Sequence, residues 1–219
     1  MASFLQAKAA TVTTADLTVA YDSNITSGSL LVLCAREGAN PPGNPTITDT
    51  LSNTWTLVQQ SGRNFIYCTV SASGGANTVT YDSQGTISSR VVVFEFSGTW
   101  PANPTDALAT ATTPNTSPAT ANSVTPSAAN GVAVSFLGTQ NDANPFAISS
   151  GGYTLGPVAS NRCAPAYLVF SSIAAYAPTY TAGAGISGTN ALQNVAFIET
   201  GGSSSTSAFG RYGVRGPIR

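Results

Sequence analysis

Residues 30–35, LLVLCA, are apolar at every position, and a matching run, residues 132–138, VAVSFLG, polar only at Ser135, begins 102 residues later. A short run with no polar face reads as a strand covered on both sides rather than as the half-wet strand of a simple hairpin. The segments downstream of each run also correspond. After LLVLCA come TITDTLSNTWTLV (46–58), RNFIYCTV (63–70), NTVTYD (77–82) and RVVVFEF (90–96). After VAVSFLG come FAISSGGYTLGPV (146–158), AYLVFSSI (166–173), PTYTAG (178–183) and LQNVAFIE (192–199). Phe65 and Tyr167 are again 102 apart, while Trp55 and Tyr153 are 98 apart, so small gaps are needed. The period is far longer than the roughly 20–50 residues of a solenoid repeat. It implies one β-sheet half duplicated, with the two halves facing each other.

The remaining segments agree with an all-β chain. Residues 4–25 alternate weakly, and Val12, Leu17, Val19, Tyr21 and Ile25 are expected to pack one or two edge strands. ITDT, LSN and TWTLV read as a hairpin turned at Ser52 and Asn53. In RVVVFEF, Val92, Phe94 and Phe96 fall on one face, with Val91, Val93 and Glu95 on the other. Residues 98–130 are a proline-rich connector with short edge strands at ALATAT and NSVTP. The 21 Gly and 13 Pro punctuate strands every 8–12 residues, the spacing of a sandwich or barrel. The expected fold is a two-sheet antiparallel β-sandwich, jelly-roll-like, built from two duplicated halves (about 1–98 and 99–200) in a single domain of residues 1–200. Residues 201–219 are expected to be a flexible linker followed by a C-terminal arm.

Composition narrows the function classes. Hydrophobic residues make up 42% of the 219, enough for a core, but charged residues only 8%, against about 25% in typical soluble domains. A surface of Ser, Thr, Asn, Gln and Gly has little electrostatic repulsion to keep copies apart, which suits self-association or packing on a larger assembly. The net charge of −1, with one lysine and seven arginines, argues against nucleic-acid binding. Three of the arginines lie in the last nine residues. No segment has the ~20 apolar residues of a membrane helix. Residues 1–14, MASFLQAKAATVTT, do not read as a secretory signal. The three cysteines, Cys34, Cys68 and Cys163, are expected to be reduced core thiols, with a Cys34–Cys163 or Cys68–Cys163 bridge as the alternative.

Catalytic chemistry has little to draw on. With no histidine, Ser-His-Asp and Cys-His sites and histidine bases are absent. Glu95 and Glu199 lie on equivalent strands, yet are expected on a solvent face or beside Arg90 rather than as a catalytic pair. Loop acids such as Asp49 and Asp142 lack the D-x-D-x-D-G run of a calcium loop. No glycine-rich stretch follows a phosphate-loop pattern. No cofactor and no enzymatic activity are expected. Trp55 and Tyr153 are expected in the core. Tyr81 and Tyr180 are further candidates for a sugar platform, and Trp100, in GTWPANP, is the aromatic expected to be most exposed and so a contact residue.

Three stretches carry a resemblance. Asp49, Asn53 and Trp55 fit D-x-x-G-N-x-W/Y; Gly74, Gly75, Thr78, Val79 and Thr80 fit GG-x-x-TVT; Val92, Val93, Glu95, Phe96, Ser97 and Gly98 fit V-V-x-E-(Y/F)-SG. Over about residues 10–200 the chain resembles a recurring jelly-roll-like β-sandwich module of bacterial secreted proteins and bacteriophage virion proteins. Ser52 departs from it, standing where that module usually has Gly. The resemblance implies the fold and transfers no catalytic residues. Together with the uncharged surface and the arm, it implies a virion structural protein, a capsid decoration or fibre subunit made in the host cytoplasm. Its partners would be itself, as a homo-oligomer such as a trimer, and a capsid or tail protein. Phe209, Arg211, Tyr212, Arg215, Ile218 and Arg219 in the arm, with Trp100, are the expected partner-binding residues. The alternative is an extracellular glycan-binding or adhesive module on a bacterial surface, using Trp100.

Overall fold

The computed structural model describes residues 1–201 except 14, 15, 42, 86, 184, 185, 187 and 189. The arm, with Phe209, Arg211, Tyr212, Arg215, Ile218 and Arg219, lies outside the described residues. The described chain contains strands and turns and no helix. The first half supplies β1 (Ser3–Val12), β2 (Leu17–Ala20), β3 (Leu30–Glu37), β4 (Thr46–Asp49), β5 (Thr56–Ser61), β6 (Asn64–Val70), β7 (Thr78–Asp82) and β8 (Ser89–Ser97). The second supplies β9 (Thr105–Leu108), β10 (Ala119–Thr120), β11 (Gly131–Gly138), β12 (Phe146–Ser150), β13 (Thr154–Leu155), β14 (Cys163–Phe170), β15 (Thr179–Ala182) and β16 (Ala191–Ile198).

All pairings are antiparallel. One five-stranded sheet runs β1-β8-β3-β6-β5 and the other β9-β16-β11-β14-β13; the three-stranded sheets run β2-β7-β4 and β10-β15-β12. Each sheet of the second half therefore repeats the order of the first with every strand number raised by eight. Pairing positions agree, with Leu30 opposite Phe96 and Val132 opposite Phe197.

The two five-stranded sheets face each other as the expected sandwich, and each carries a three-stranded sheet on its outer side, giving four layers. Alternation along the strands explains why. Leu30, Val32, Cys34, Val92, Phe94 and Phe96 meet Val132, Val134, Phe136, Val195 and Phe197 in the central core. The intervening Leu31, Leu33, Ala35, Val91 and Val93 turn the other way, against Val19, Val79 and Tyr81 of the small sheet. Ala133, Leu137, Leu192 and Ala196 do the same against Phe146 and Tyr180. Every residue of β3 and β11 is buried. A strand that is apolar on both faces needs two covers, and the outer sheets supply the second.

The structure corrects one turn. TITDTLSNTWTLV is not a hairpin, because β4 pairs with β7 and β5 with β6. The segment between them carries the chain from the small sheet to the large one. The connector pairs as edge: Thr105–Leu108 lies on β16, Thr112 bridges to Leu192, and Val124 to Tyr176.

All three cysteines are free and buried. The Cys163 thiol points at the Cys34 carbonyl, 3.9 Å away. Burial pushes the Cys68 thiol up to about 11 and raises Cys34 and Cys163 as well, which removes the reactive thiolate. The native protein should therefore give no fast reaction with Ellman's reagent and three equivalents on denaturation; a fast native thiol would contradict the sealed central core.

Candidate functional site

The corner between β4 and β5 is organised by one carboxylate. Asp49 Oδ1 accepts the amides of Leu51 (3.1 Å) and Asn53 (3.0 Å). Its Oδ2 accepts Asn53 Nδ2 and Trp55 Nε1, both at 2.9 Å, and Asn77 Nδ2 at 3.4 Å. Asn53 Oδ1 in turn accepts the Ala72 amide at 3.2 Å, tying the corner to the turn after β6. The D-x-x-x-N-x-W spacing is thus a hydrogen-bonded corner, which leaves Asp49 no free oxygen for calcium. Trp55 is half-buried against the first half's outer core. Ser52 has φ +58°, the left-handed region that a glycine occupies without cost.

Ser52, Asn53 and Thr54 line a cleft of about 640 Å³ together with Trp100, Asn103 and Pro104. Trp100 is not the exposed aromatic the sequence suggests. It is only 8% exposed and belongs to the central core. Its neighbours in GTWPANP are turn-formers, so the local sequence does not signal that the ring packs into the central core. Replacing Ser52 with Gly should stabilise the protein by about 0.5–1 kcal/mol. Asp49→Ala should destabilise it by about 2–4 kcal/mol, since several donors lose their acceptor together. Chemical denaturation of the two variants checks both signs.

The other sequence candidates are buried in structural roles. Tyr81 and Tyr180 are fully enclosed, and Tyr153 donates to Asn194 Oδ1 at 3.0 Å. Glu95 and Glu199 are neither solvent-facing nor partnered by Arg90. Glu95 accepts Gln6 Nε2 (2.6 Å) and the Thr26 amide (2.8 Å). Glu199 accepts the Ala2 amide (2.8 Å) and the Thr99 amide (3.1 Å). Each carboxylate satisfies backbone donors where strands end. Asp142 pairs with Arg162 at 2.6 Å. Among the described residues no three His, Cys, Asp or Glu side chains are grouped to hold a metal.

What the sequence reading missed is a convergence of arginines. Arg36, Arg63, Arg90 and Arg162, all the arginines of the described residues, line one pocket of about 300 Å³ at the end of the two large sheets. Arg36 and Arg90 are directly opposite on β3 and β8. Arg63 and Arg162 occupy the turns that enter β6 and β14, equivalent places in the two halves. Spacings of 27, 27 and 72 residues gave no cluster signal; only the strand register brings the four together. Arg36 Nε donates to the Thr139 carbonyl and its Nη1 to Asn64 Oδ1, both at 2.8 Å. Asn64 Nδ2 reaches the Ala191 carbonyl at 2.9 Å, so the two residues stitch the large sheets together. Burial, then Arg63, lowers the Arg36 guanidinium to about 10; burial, then Arg162, lowers Arg90.

Glu37 comes directly after Arg36 on β3, so its side chain turns to the other face of the sheet, where Ser89 Oγ donates to Oε2 at 3.1 Å. Oε1 has no partner in hydrogen-bonding geometry. Burial pushes this carboxyl from 4.5 up to about 6, although Tyr81, Ser89 and the Arg90 charge pull the other way. Between those two values the folded chain holds a proton that the unfolded chain releases. Stability should therefore fall as pH rises through that window, by roughly 1–2 kcal/mol. Glu37→Gln should flatten the fall, as read by melting temperature against pH; an unchanged slope would assign the effect to another group.

No family model, curated protein or solved structure matches this chain.

Proposed function

We propose that this protein is a structural virion component, a bacteriophage capsid decoration or fibre subunit that acts by self-association and by docking on a capsid or tail protein. The observation that carries the reading is an open, apolar sheet edge on a charge-poor molecule. Among the described residues β1 pairs only with β8 and forms the outer edge of its sheet. Along it Met1 is 84% exposed, Phe4 37% and Leu5 43%. Leu108, on the equivalent edge strand β9, is 52% exposed. Soluble monomers blunt such edges with charge or cover; here Lys8, paired with Asp22 at 2.6 Å, is the one lysine available. Phe4 is held in place rather than loose, stacked on Tyr167 at 4.6 Å between ring centroids. The arm, with Phe209, Tyr212, Ile218 and its arginines, supplies a second anchor in this reading. The recurrence of strand order supports an internal duplication, which would give each subunit two similar edges.

Light scattering on the full chain should find a defined oligomer, with truncation after Thr200 or the Leu5→Lys change lowering its mass. Monomers throughout would overturn self-association. The glycan-binding alternative would then take precedence, with the cleft of Asn53, Thr54, Trp100 and Asn103 as its site.

A further inference from the structure

The arginine pocket holds positive charge that is only partly answered: Arg162 is paired with Asp142, and the charges of Asp142 and Glu37 act on Arg90 from a distance. Among the described residues the side-chain ion pairs are Lys8–Asp22 and Arg162–Asp142, and neither involves Arg63 or Arg90. Arg63 donates to neutral acceptors, Asn40 Oδ1 at 3.1 Å and the Gly38 carbonyl. Arg90 is 9% exposed, and its Nη1 reaches only Ser88 Oγ, at 3.3 Å. Among the described residues its Nε has no hydrogen-bond partner. Like charges directly opposite on neighbouring strands are destabilising, yet Arg36 and Arg90 are such a pair and both are buried. Glu37 also borders the pocket and its charge acts on Arg90, but strand alternation turns its side chain to the other face of the sheet, where it accepts from Ser89 and pairs with none of the four. Burying an unpaired guanidinium donor costs about 1–3 kcal/mol or more, and a chain with so few charges has concentrated four arginines here.

We propose that this pocket binds a dianionic tetrahedral oxoanion: inorganic phosphate or the phosphate of a small phosphomonoester. Guanidinium forks match the paired oxygens of such a group, and Arg is the side chain of choice for it. Arg63 and Arg162 approach from turns of the two halves, while Arg36 and Arg90 come from one sheet, so donors surround a small volume rather than lie along a line. A single carboxylate would leave much of this charge unanswered. The lining is almost wholly polar, so the anionic group itself, not an apolar body, is what the pocket recognises. The basic C-terminal arm has the wrong charge to fill it.

Isothermal titration of the full chain near neutral pH and at constant ionic strength tests this with sodium phosphate, glycerol 3-phosphate and sodium acetate. Phosphate should bind saturably, one per chain, with Kd below about 1 mM. Arg63→Gln, at the half-exposed rim where folding is least at risk, should weaken it roughly tenfold or more. Arg90→Gln should abolish it, and Lys8→Gln, away from the pocket, should change nothing. Equal binding of glycerol 3-phosphate identifies an esterified phosphate as a ligand; binding of phosphate alone identifies the free anion. Absence of saturable phosphate binding would overturn the proposal, as would acetate binding as tightly or Lys8→Gln weakening phosphate as much as Arg63→Gln. These outcomes do not depend on oligomeric state.

Discussion

The constraint on which the rest depends is the double-sided burial of the central strands. β3, β8, β11 and β16 present apolar side chains to both faces, and neither face can be left in water. Burial is worth about 25 cal/mol per Å² of apolar surface, so the face-to-face contact of the large sheets and the cover given by the small ones are each strongly favoured. Four layers are the consequence. A single pair of sheets would expose Leu31, Leu33, Val91 and Val93 on one side, or Val32, Phe94, Val134 and Phe136 on the other.

With the core fixed this way, polar groups are spent where strands end and sheets change. Asp49 turns the chain from one sheet to another, Glu95 and Glu199 receive backbone amides, and Asn64 with Arg36 joins the two large sheets. A chain with only nine carboxylates has committed several of them to holding backbone. Asp49, Glu95 and Glu199 are each occupied by amide donors in this way. The exception is the arginine pocket, where four cations are gathered and Asp142, on Arg162, is the one carboxylate ion-paired with them among the described residues. An asymmetry of that kind points outward, to a ligand, rather than inward, to the fold.

The residues of the first sequence motif have structural work to do. Asp49, Asn53 and Trp55 form one hydrogen-bonded corner, and Ser52 keeps the left-handed backbone that glycine would adopt. Such a pattern specifies a turn between sheets and leaves chemistry unspecified. The edge at Phe4 and Leu5, by contrast, leaves apolar surface in solvent even though Phe4 stacks on Tyr167.

Much of the fold was legible because strand periodicity is local. The alternation of Val92, Phe94 and Phe96 against Val91 and Val93, the two-sided run at 30–35 and the matching order of segments in the halves all stem from side chains alternating every second residue. Local pattern was enough to establish that the chain is all-β, that its central strands need two covers, and that its cysteines sit among apolar neighbours. Packing in three dimensions settled whatever depends on register between distant strands. It put Trp100 inside rather than outside, made TITDTLSNTWTLV a corner rather than a hairpin, and set Arg36 opposite Arg90 with Arg63 and Arg162 alongside. No stretch of sequence encodes those outcomes by itself, because each is fixed by which strand pairs with which and by the face that a one-residue step selects.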